Sequence, residues 1–307
     1  MTQANKLDKW GELAGKIEPC GKLLRAWELV GGVSATVTAL ELECADGTRK
    51  KMVVRQHGAA DRERNPQIAS DEYKLLQLLQ EAHIPAPQPL HLEASATIFA
   101  SPCLVTTFVE GQTDFQPANL SAYLSQLAEV LARIHRIDPE QKASTFLPRQ
   151  TDWVADTLRK TPEKLDDSLD EGLIRELLGT VWPLARKNRD VLLHGDFWPG
   201  NTMWLDGRLT AVLDWEDAAV GDPLADVGNA RLELLWAFGS EAMDTFTAFY
   251  RERMPDLDYT DLAYWDLYAA LRPASSLGNW GLDQATEQRM RERHKQFVQQ
   301  ATERRHI

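Results

Sequence analysis

The feature that most constrains the fold is a β-prone segment, residues 191–215, that is set among helices. The sequence around it repeats apolar residues at the 3.6-residue spacing of amphipathic helices. The segment is centred on Asp206-Gly207, a residue pair typical of two-residue hairpin turns. We therefore predict a mainly helical region that contains one small β element. The predicted helices are 120–137, 153–159, 173–186, 224–238, 242–254, 262–271 and 286–302.

Three polar side chains collect near the open end of this predicted hairpin. Pairing outward from the turn places Asn201 opposite Val212, so Asp214 lies diagonally from Asn201, roughly 7–8 Å away. Asp196 lies on the loop that leads into the hairpin. Carboxylate and amide oxygens suit Mg²⁺, which prefers a few protein ligands together with substrate phosphates. The alternative is a turn whose Asp and Asn only satisfy backbone groups.

The spacing between Asp196 and Asn201 points to phosphoryl transfer. The loop reads HGDFWPGN (194–201), so four residues separate the Asp from the Asn. The kinase catalytic loop H-R-D-x-x-x-x-N has the same spacing, and there the Asp accepts the hydroxyl proton while the Asn holds metal. Together with the hairpin and Asp214 in L-D-W, the spacing favours chemistry over a plain turn.

The N-terminal third of the chain is rich in strands instead. Asp46-Gly47 between two β-prone runs is a strong hairpin signal. Glu110-Gly111 closes this region, and the helices begin soon afterwards. We predict an α+β fold with a small β-rich lobe, residues 1–111, and a larger mainly helical lobe, residues 112–307. The predicted elements of the small lobe are strands 23–30, 34–44, 48–57 and 102–109 and a helix over 68–82.

These motifs resemble those of the aminoglycoside phosphotransferase family, kinase-like enzymes that phosphorylate small molecules. The resemblance is carried by LLHGDFWPGN (192–201), VLDWEDAAVGDP (212–223) and Ala225-Asp226, and it covers about residues 23–238. Upstream, LVGGVSATVTAL, KMVVRQ, SDEYKLLQLL and CLVTTFVEG follow in the family's order. It implies a bilobal protein-kinase-like fold with an N-terminal nucleotide-binding lobe and a C-terminal catalytic, acceptor-binding lobe. It also implies Mg²⁺, ATP or GTP as co-substrate, and a small-molecule hydroxyl as acceptor.

The resemblance assigns roles to the residues of this segment. It implies that Asp196 is the catalytic base, which orients and deprotonates the acceptor hydroxyl. Asn201 and Asp214 match the Mg²⁺ ligands. His194 is expected to brace the loop, because Asp196 already fills the position of the base. Asp226 matches a carboxylate that supports the loop from the next helix.

Arg55 is the basic residue expected near the nucleotide phosphates. Counting back from Asp46-Gly47 puts Arg55 opposite Thr38, and in the family this strand carries a phosphate-contacting cation. Arginine can grip phosphate through two parallel hydrogen bonds. Glu72 shares the apolar face of its helix, and a buried carboxylate needs a partner, for which Arg55 is the natural choice. The alternatives are a solvated strand arginine and a surface glutamate.

Two further segments are predicted to contact the nucleotide. Gly31 and Gly32 permit close approach of the backbone, and the Ser34 hydroxyl can donate to a phosphate. The loop lacks the full G-x-G-x-x-G pattern, so it is weak evidence by itself. The resemblance implies that Thr107 and Val109 belong to the segment whose backbone bonds the adenine.

The charge balance argues against some partners. The 307 residues include 46 acidic and 34 basic ones, for a net charge of -12, which argues against a general binder of nucleic acid or of anionic membranes. The tail 289–305 holds six basic residues against two glutamates, so the rest of the chain carries -16. Its acidic residues on the expected acceptor side favour a cationic acceptor. They are Glu216, Asp217, Glu233 and the stretch 256–266.

The expected compartment is the cytoplasm. Cys20, Cys44 and Cys103 are sparse and form no C-x-x-C pair, which fits a reducing environment. The N-terminal sequence lacks the apolar core of a secretory signal, and no run of about 18 apolar residues occurs.

The sequence therefore predicts a small-molecule kinase that transfers a γ-phosphoryl group to the hydroxyl of an aminoglycoside-like or other metabolite. A catalytically silent nucleotide-binding module is the first alternative. A metal-dependent hydrolase built on His194 and Asp196 is the second, but it would need further ligands at suitable spacing. The acceptor, the choice between ATP and GTP, the oligomeric state and any role in antibiotic resistance stay open.

Overall fold

A computed structural model describes residues 3–29, 35–95, 97–139 and 146–305. The chain divides into two compact units, residues 1–110 with 210–216, and residues 111–209 with 217–307. The predicted phosphate loop of Gly31, Gly32 and Ser34 lies outside the described residues. No helix in the described ranges is both long and apolar enough to cross a membrane.

The first unit is built on a five-stranded antiparallel sheet. Its elements are α1 (Gln3–Ile17), β1 (Lys22–Glu28), β2 (Ala35–Glu43), β3 (Arg49–His57), α2 (Ala59–Arg64), α3 (Ile68–Glu81), β4 (Pro89–Glu93) and β5 (Cys103–Thr107). The strand order is β1-β2-β3-β5-β4. One face of the sheet is covered by α1, whose Trp10 and Leu13 pack with Leu40, Met52 and Val54 in a buried core. The elements α1, α2 and β4 were not predicted from the sequence. The Pro-rich sequence concealed β4, an edge strand that tolerates Pro89 as its first residue.

The register of the first hairpin differs from the prediction by one residue. Arg55 pairs with Val37, and Thr38 pairs with Val54. The prediction counted from a two-residue turn, whereas the N–H of Cys44 donates to the carbonyl of Thr48 across a three-residue loop. Gly47 closes that loop with a φ of 79°, as three-residue hairpins favour.

The second unit is mainly helical, so the predicted α+β class is confirmed. Its helices are α4 (Leu120–His135), α5 (Gln150–Arg159), α6 (Glu171–Val181), α7 (Leu224–Phe238), α8 (Ser240–Arg253), α9 (Leu262–Leu271) and α10 (Gln284–Arg304). The core packs α7, α9 and α10 through residues such as Leu235, Leu267 and Phe297. The helix α4 begins after Asn119, whose side chain accepts a hydrogen bond from the N–H of Ala122.

The predicted β segment supplies short strands at the centre of the helical sequence. They are β6 (Val191–Leu193), β7 (Thr202–Leu205), β8 (Arg208–Val212) and β9 (Ala219–Gly221). The strands β6 and β9 pair antiparallel, with Leu193 opposite Ala219. The strands β7 and β8 form the expected hairpin, and Asp206 and Gly207 have φ of 51° and 73° in its two-residue turn. Asn201 is not part of the hairpin, because it ends a 3-10 helix, Pro199–Asn201, before β7 begins.

Candidate active site

The loop after β6 has a conformation that only glycine accommodates at its second residue. Gly195 has a φ of 83°, in the left-handed region. A Cβ atom on Gly195 would lie 1.8 Å from the carbonyl oxygen of Asp217. The loop therefore contacts the backbone of Asp217, the residue after Glu216. This close approach fixes the position from which the Asp196 side chain extends.

The side chain of Asp226, on α7, binds backbone N–H groups of the same loop. Its carboxylate accepts hydrogen bonds from the N–H groups of His194 at 2.7 Å and Gly195 at 2.9 Å. Its Oδ2 also lies 3.1 Å from His135 Nε2. Burial opposes the charge on Asp226, but these partners outweigh it and hold the pKa of the carboxyl below its ordinary value. Asp226 is therefore a buried, charged anchor for the loop.

Asp196 and Asn201 contact each other across the loop. The side-chain amide nitrogen of Asn201 donates to the Asp196 carbonyl at 2.9 Å and to Asp196 Oδ2 at 3.1 Å. His194, which is fully buried, accepts from the N–H of Asp196 through Nδ1 at 3.2 Å. These bonds orient the half-exposed carboxylate of Asp196. They also orient the side-chain amide of Asn201, which donates through its nitrogen and also carries an oxygen atom.

Arg272, which follows α9 directly, is a member of this site that the sequence analysis missed. Its Nη1 donates to the Gly195 carbonyl at 2.8 Å and to Asn229 Oδ1 at 2.6 Å. Its Nη2 lies 3.7 Å from Asp196 Oδ1 and 3.9 Å from Asp217 Oδ2. The local sequence gives no signal for these contacts, because Gly195 and Arg272 are 77 residues apart.

A cavity of about 150 Å³ adjoins Asp196 in the second unit. We call it the Asp196 cavity. Burial, and then the Asp196 carboxylate, raise the pKa of Glu233 to about 8, against the opposing effect of Arg272. Glu233 was expected from the sequence as one of the acidic residues on the acceptor side, and its raised pKa was not predicted. The cavity is lined by Asp196, Asn229, Leu232, Glu233, Trp236, Ala269, Arg272, Pro273 and Trp280.

The first unit contains a separate group of ionic contacts around Arg55, which we call the Arg55 centre. Arg55 Nη2 lies 2.7 Å from Asp214 Oδ1 and 2.5 Å from Glu216 Oε2, and its Nε lies 3.7 Å from Glu72 Oε2. Burial opposes the charge on Arg55, but the carboxylates of Glu72, Asp214 and Glu216 outweigh it and raise its pKa. The structure thus contains the predicted Arg55–Glu72 ion pair and adds two carboxylates to it.

Glu72 and Glu216 both differ from ordinary surface glutamates. His57 Nε2 lies 3.0 Å from Glu72 Oε2, and burial of Glu72 is outweighed first by Arg55 and then by His57, so its pKa is lowered. Glu216 was expected on the acceptor side, but its contact with Arg55 places it in the Arg55 centre instead.

The segment that was predicted to bond the adenine is partly occupied by hydrogen bonds within the first unit. The N–H of Thr107 donates to the Gln88 carbonyl, and its hydroxyl accepts from the N–H of Gln88, both at 2.9 Å. The Thr107 N–H is therefore committed within the unit. The assignment of Val109 to adenine binding stays a prediction.

Asp214 has the backbone strain that often marks functional residues. Its φ is 60°, which is uncommon for a residue other than glycine. The next residue, Trp215, is buried and donates from its indole N–H to the Val212 carbonyl at 3.0 Å. Within the described residues, no group of three or more His, Cys, Asp and Glu side chains is arranged to hold a metal ion.

Known proteins resemble the chain in sequence and in fold. Acyl-CoA dehydrogenase family member 10 of Mus musculus is 27% identical over an alignment of 173 positions, and the match covers 52% of this chain but only 16% of that protein. The GDP and kanamycin complex of APH(2″)-IIIa matches with a TM-score of 0.65 at 18% identity, over 96% of this chain and 98% of the other. The apoenzyme of the macrolide 2′-phosphotransferase MphH from Brachybacterium faecium matches with a TM-score of 0.60 at 21% identity, over 93% and 97%.

The family assignment rests on a match to most of the chain. The model of the phosphotransferase enzyme family covers residues 29–272, which include the Arg55 centre and the whole 194–201 loop. The resemblance seen in the sequence is thereby confirmed. The chain belongs to the phosphotransferase enzyme family, whose members are kinase-like enzymes that act on hydroxyl groups.

Proposed function

We propose that the protein transfers the γ-phosphoryl group of ATP or GTP to a hydroxyl group of a small molecule. The observation that carries this proposal is the clamped loop, in which Asn201 contacts both the carbonyl and the carboxylate of Asp196. The solved relative with bound GDP and kanamycin supports a nucleotide co-substrate and a small hydroxylated acceptor. We also propose a cytoplasmic location, which the three free cysteines support.

Asp196 is the proposed catalytic base. It accepts the hydroxyl proton as the acceptor oxygen forms its bond to the γ-phosphorus, while the bond from that phosphorus to the β–γ bridging oxygen breaks. The nucleoside diphosphate then leaves with the bridging oxygen. Most of the rate enhancement in this class of reaction comes from positioning and charge stabilisation. The bonds from Asp226, His194 and Asn201 support this role, because they hold the base in place before any substrate binds.

Asn201 and Asp214 are the proposed ligands of Mg²⁺. Their oxygen atoms fit a hard cation, and Asp214 already lies 2.7 Å from the cationic Arg55. When bound, Mg²⁺ supplies charge neutralisation on the transferring phosphates. Arg55 is proposed to contact the nucleotide phosphates, for which its raised pKa keeps it charged.

A silent nucleotide-binding module is the competing function. Such a module would retain the Arg55 centre, which includes Asp214, but it would not require Asp196 to be oriented by three separate contacts. The clamped loop therefore favours the enzyme over the module.

The test measures ATP and GTP consumption against a library of hydroxylated metabolites and antibiotics. We expect Asp196→Asn to lower turnover by about 10²–10⁴ with little change in nucleotide affinity, because it removes the base and keeps the shape. Asp206→Asn is the matched control. It makes the same change in a nearby turn whose left-handed conformation Asn tolerates, and it should keep full activity.

Two results would contradict the proposal. Turnover by Asp196→Asn at the wild-type rate would remove Asp196 from the role of base. Mg²⁺-dependent nucleotide binding without turnover for any acceptor in the library would favour the silent module instead.

A further inference from the structure

Three buried side chains form a row of hydrogen bonds that ends at the 194–201 loop. Tyr250, on α8, has its hydroxyl oxygen 2.6 Å from Nδ1 of His135, the last residue of α4. His135 Nε2 lies 3.1 Å from Oδ2 of Asp226, on α7. We call Tyr250, His135 and Asp226 the Tyr250 triad. Each of the three is at most 1% exposed, so solvent competes little for these hydrogen bonds.

The direction of each hydrogen bond in the Tyr250 triad follows from the acceptor role of Asp226. Its carboxylate already accepts the backbone N–H groups of His194 and Gly195. An ionised carboxylate can only accept, so His135 Nε2 carries a proton and donates it to Asp226. The neutral imidazole then accepts at Nδ1, and the Tyr250 hydroxyl donates to it. The hydroxyl therefore holds the His135 ring in the orientation that donates to Asp226.

The triad is connected to the proposed base through the residue two positions before it. Asp226 Oδ2, the oxygen that faces His135, also accepts from the N–H of His194 at 2.7 Å. The His194 ring in turn accepts from the N–H of Asp196 at 3.2 Å. Consecutive hydrogen bonds thus connect the Tyr250 hydroxyl to the backbone that carries the base. Moving a catalytic group by about 1 Å can lower a rate by about 10²-fold, so the position of this backbone matters for the proposed reaction.

Packing alone does not explain why residue 250 carries a hydroxyl. The ring of Tyr250 lies 6.3 Å from the ring of Phe246 and 6.5 Å from that of Tyr259, and it meets the His135 ring edge to face. A phenylalanine ring would make the same three contacts. Burying a hydroxyl costs free energy unless it is hydrogen-bonded, and here the partner is His135. What the hydroxyl adds to the packing is therefore its connection to the loop.

From this connectivity we propose that Tyr250 is a positioning residue for phosphoryl transfer, which acts on the base Asp196 through the other two members of the triad. The inference rests on the proposed function and extends it to a residue of α8. The Tyr250 hydroxyl orients the His135 imidazole, the imidazole orients the carboxylate of the triad, and the carboxylate holds the loop. Loss of the hydroxyl should therefore loosen the loop without changing the Arg55 centre of the first unit.

The test uses Tyr250→Phe, which removes the hydroxyl and keeps the ring. With the best acceptor of the library, we expect kcat to fall about threefold to tenfold, as for the loss of one hydrogen bond, and KM for the nucleotide to stay unchanged. Amide hydrogen exchange, followed by NMR, should become faster at His194 and Gly195, because Asp226 then holds their N–H groups less firmly. A role in packing alone would leave this exchange unchanged.

Tyr259→Phe is the matched control. It makes the same change in a neighbouring tyrosine, whose hydroxyl donates to the Met254 carbonyl at 2.9 Å and is not part of the triad. This variant also loses one hydrogen bond, but kcat and both exchange rates should stay at their wild-type values.

A double-mutant cycle tests whether Tyr250 acts through His135. His135→Ala removes the middle member of the triad and should lower kcat at least as much as Tyr250→Phe does. Adding Tyr250→Phe to His135→Ala should lower kcat no further, because the hydroxyl then has no imidazole to orient. The comparison of Tyr250→Phe with Tyr259→Phe decides the inference even where His135→Ala does not fold.

Hydrogen exchange separates this inference from the proposed function, because it is measured without turnover. A wild-type protein that phosphorylates no acceptor, with faster exchange at His194 and Gly195 in Tyr250→Phe, would overturn the proposed function and keep the connection from Tyr250 to the loop. Unchanged exchange in Tyr250→Phe would overturn the inference, and so would an unchanged kcat where the wild type is active. Equal changes in Tyr259→Phe, or a loss of kcat that adds fully to that of His135→Ala, would also overturn it.

Discussion

The two charged regions of this protein are stabilised in opposite ways. In the first unit, the side chain of Arg55 contacts the carboxylates of Glu72, Asp214 and Glu216, and the contacts are ionic. In the second unit, the 194–201 loop is held largely by hydrogen bonds that side chains make to its backbone. Ionic contacts stabilise the first region, whereas hydrogen bonds that fix the backbone conformation stabilise the second.

The difference suits the two proposed tasks. Three carboxylates around one guanidinium leave the Arg55 centre with excess negative charge in their ionised forms, which suits a site that receives a divalent cation. The loop has its backbone N–H groups bonded by Asp226 and a carbonyl bonded by Arg272, so its conformation is set before a substrate arrives. Preorganisation of this kind is what a positioned base requires.

Gly195→Ala should disrupt the 194–201 loop, and its effect on stability should be the largest of those predicted. The new Cβ would overlap the Asp217 carbonyl oxygen at 1.8 Å, and a φ of 83° is itself unfavourable for alanine. We expect a loss of about 3–5 kcal/mol of unfolding free energy, measured by urea denaturation, and a large loss of turnover.

Gly207→Ala separates the two causes of that loss. Gly207 has a φ of 73°, and a Cβ there would meet no atom within 4 Å. It should cost about 1–2 kcal/mol, from the backbone conformation alone. Equal losses for the two variants would mean that the approach of the loop to Asp217 does not constrain it.

Arg55→Met should disrupt the Arg55 centre, with a smaller effect on stability. It leaves the buried Glu72 carboxylate without its main partner, so we expect a loss of about 2–3 kcal/mol of unfolding free energy. Arg55→Lys should lose less, because it keeps the charge but not the fork that reaches several carboxylates. The double variant Arg55→Met/Glu72→Gln should recover part of the loss. A double variant that is no more stable than Arg55→Met would show that the unpaired Glu72 is not the cause.

The two regions also differ in how far the sequence predicted them. Asp196, Asn201 and the Asp206-Gly207 turn lie within a dozen residues, so spacing and turn chemistry were enough to place them on one loop and hairpin. The roles of Asp226 and of the Arg55–Glu72 pair came from the family resemblance and from the inward face of a helix.

What the sequence could not predict depends on contacts between distant residues. Arg55 meets Glu216 across 161 positions of sequence, and Arg272 meets Gly195 across 77. No local periodicity encodes such pairs. The register at Arg55 was wrong by one residue, because a three-residue hairpin loop and a two-residue turn share the same Asp-Gly signal.

A pair of carboxyl variants should give the smallest effects and the clearest contrast between the regions. The pKa of Glu233 is raised to about 8, so the folded protein binds its proton more tightly than the unfolded chain does. This contribution to stability is fully present below the ordinary pKa of about 4.5 and is lost as the pH rises through 8. Glu233→Gln cannot titrate, so its stability should match wild type near pH 4.5 and exceed it increasingly as the pH rises toward 8.

Glu72→Gln should show the opposite sign. The pKa of Glu72 is lowered by Arg55 and His57, so its contribution is present above the ordinary value and is lost as the pH falls. This variant should therefore be less stable than wild type at neutral pH, and the difference should shrink in acid. Urea denaturation from pH 4 to pH 9 measures both. If the two differences from wild type change in the same direction with pH, the contrast between an ionised Glu72 in the first unit and a Glu233 of raised pKa in the second is wrong.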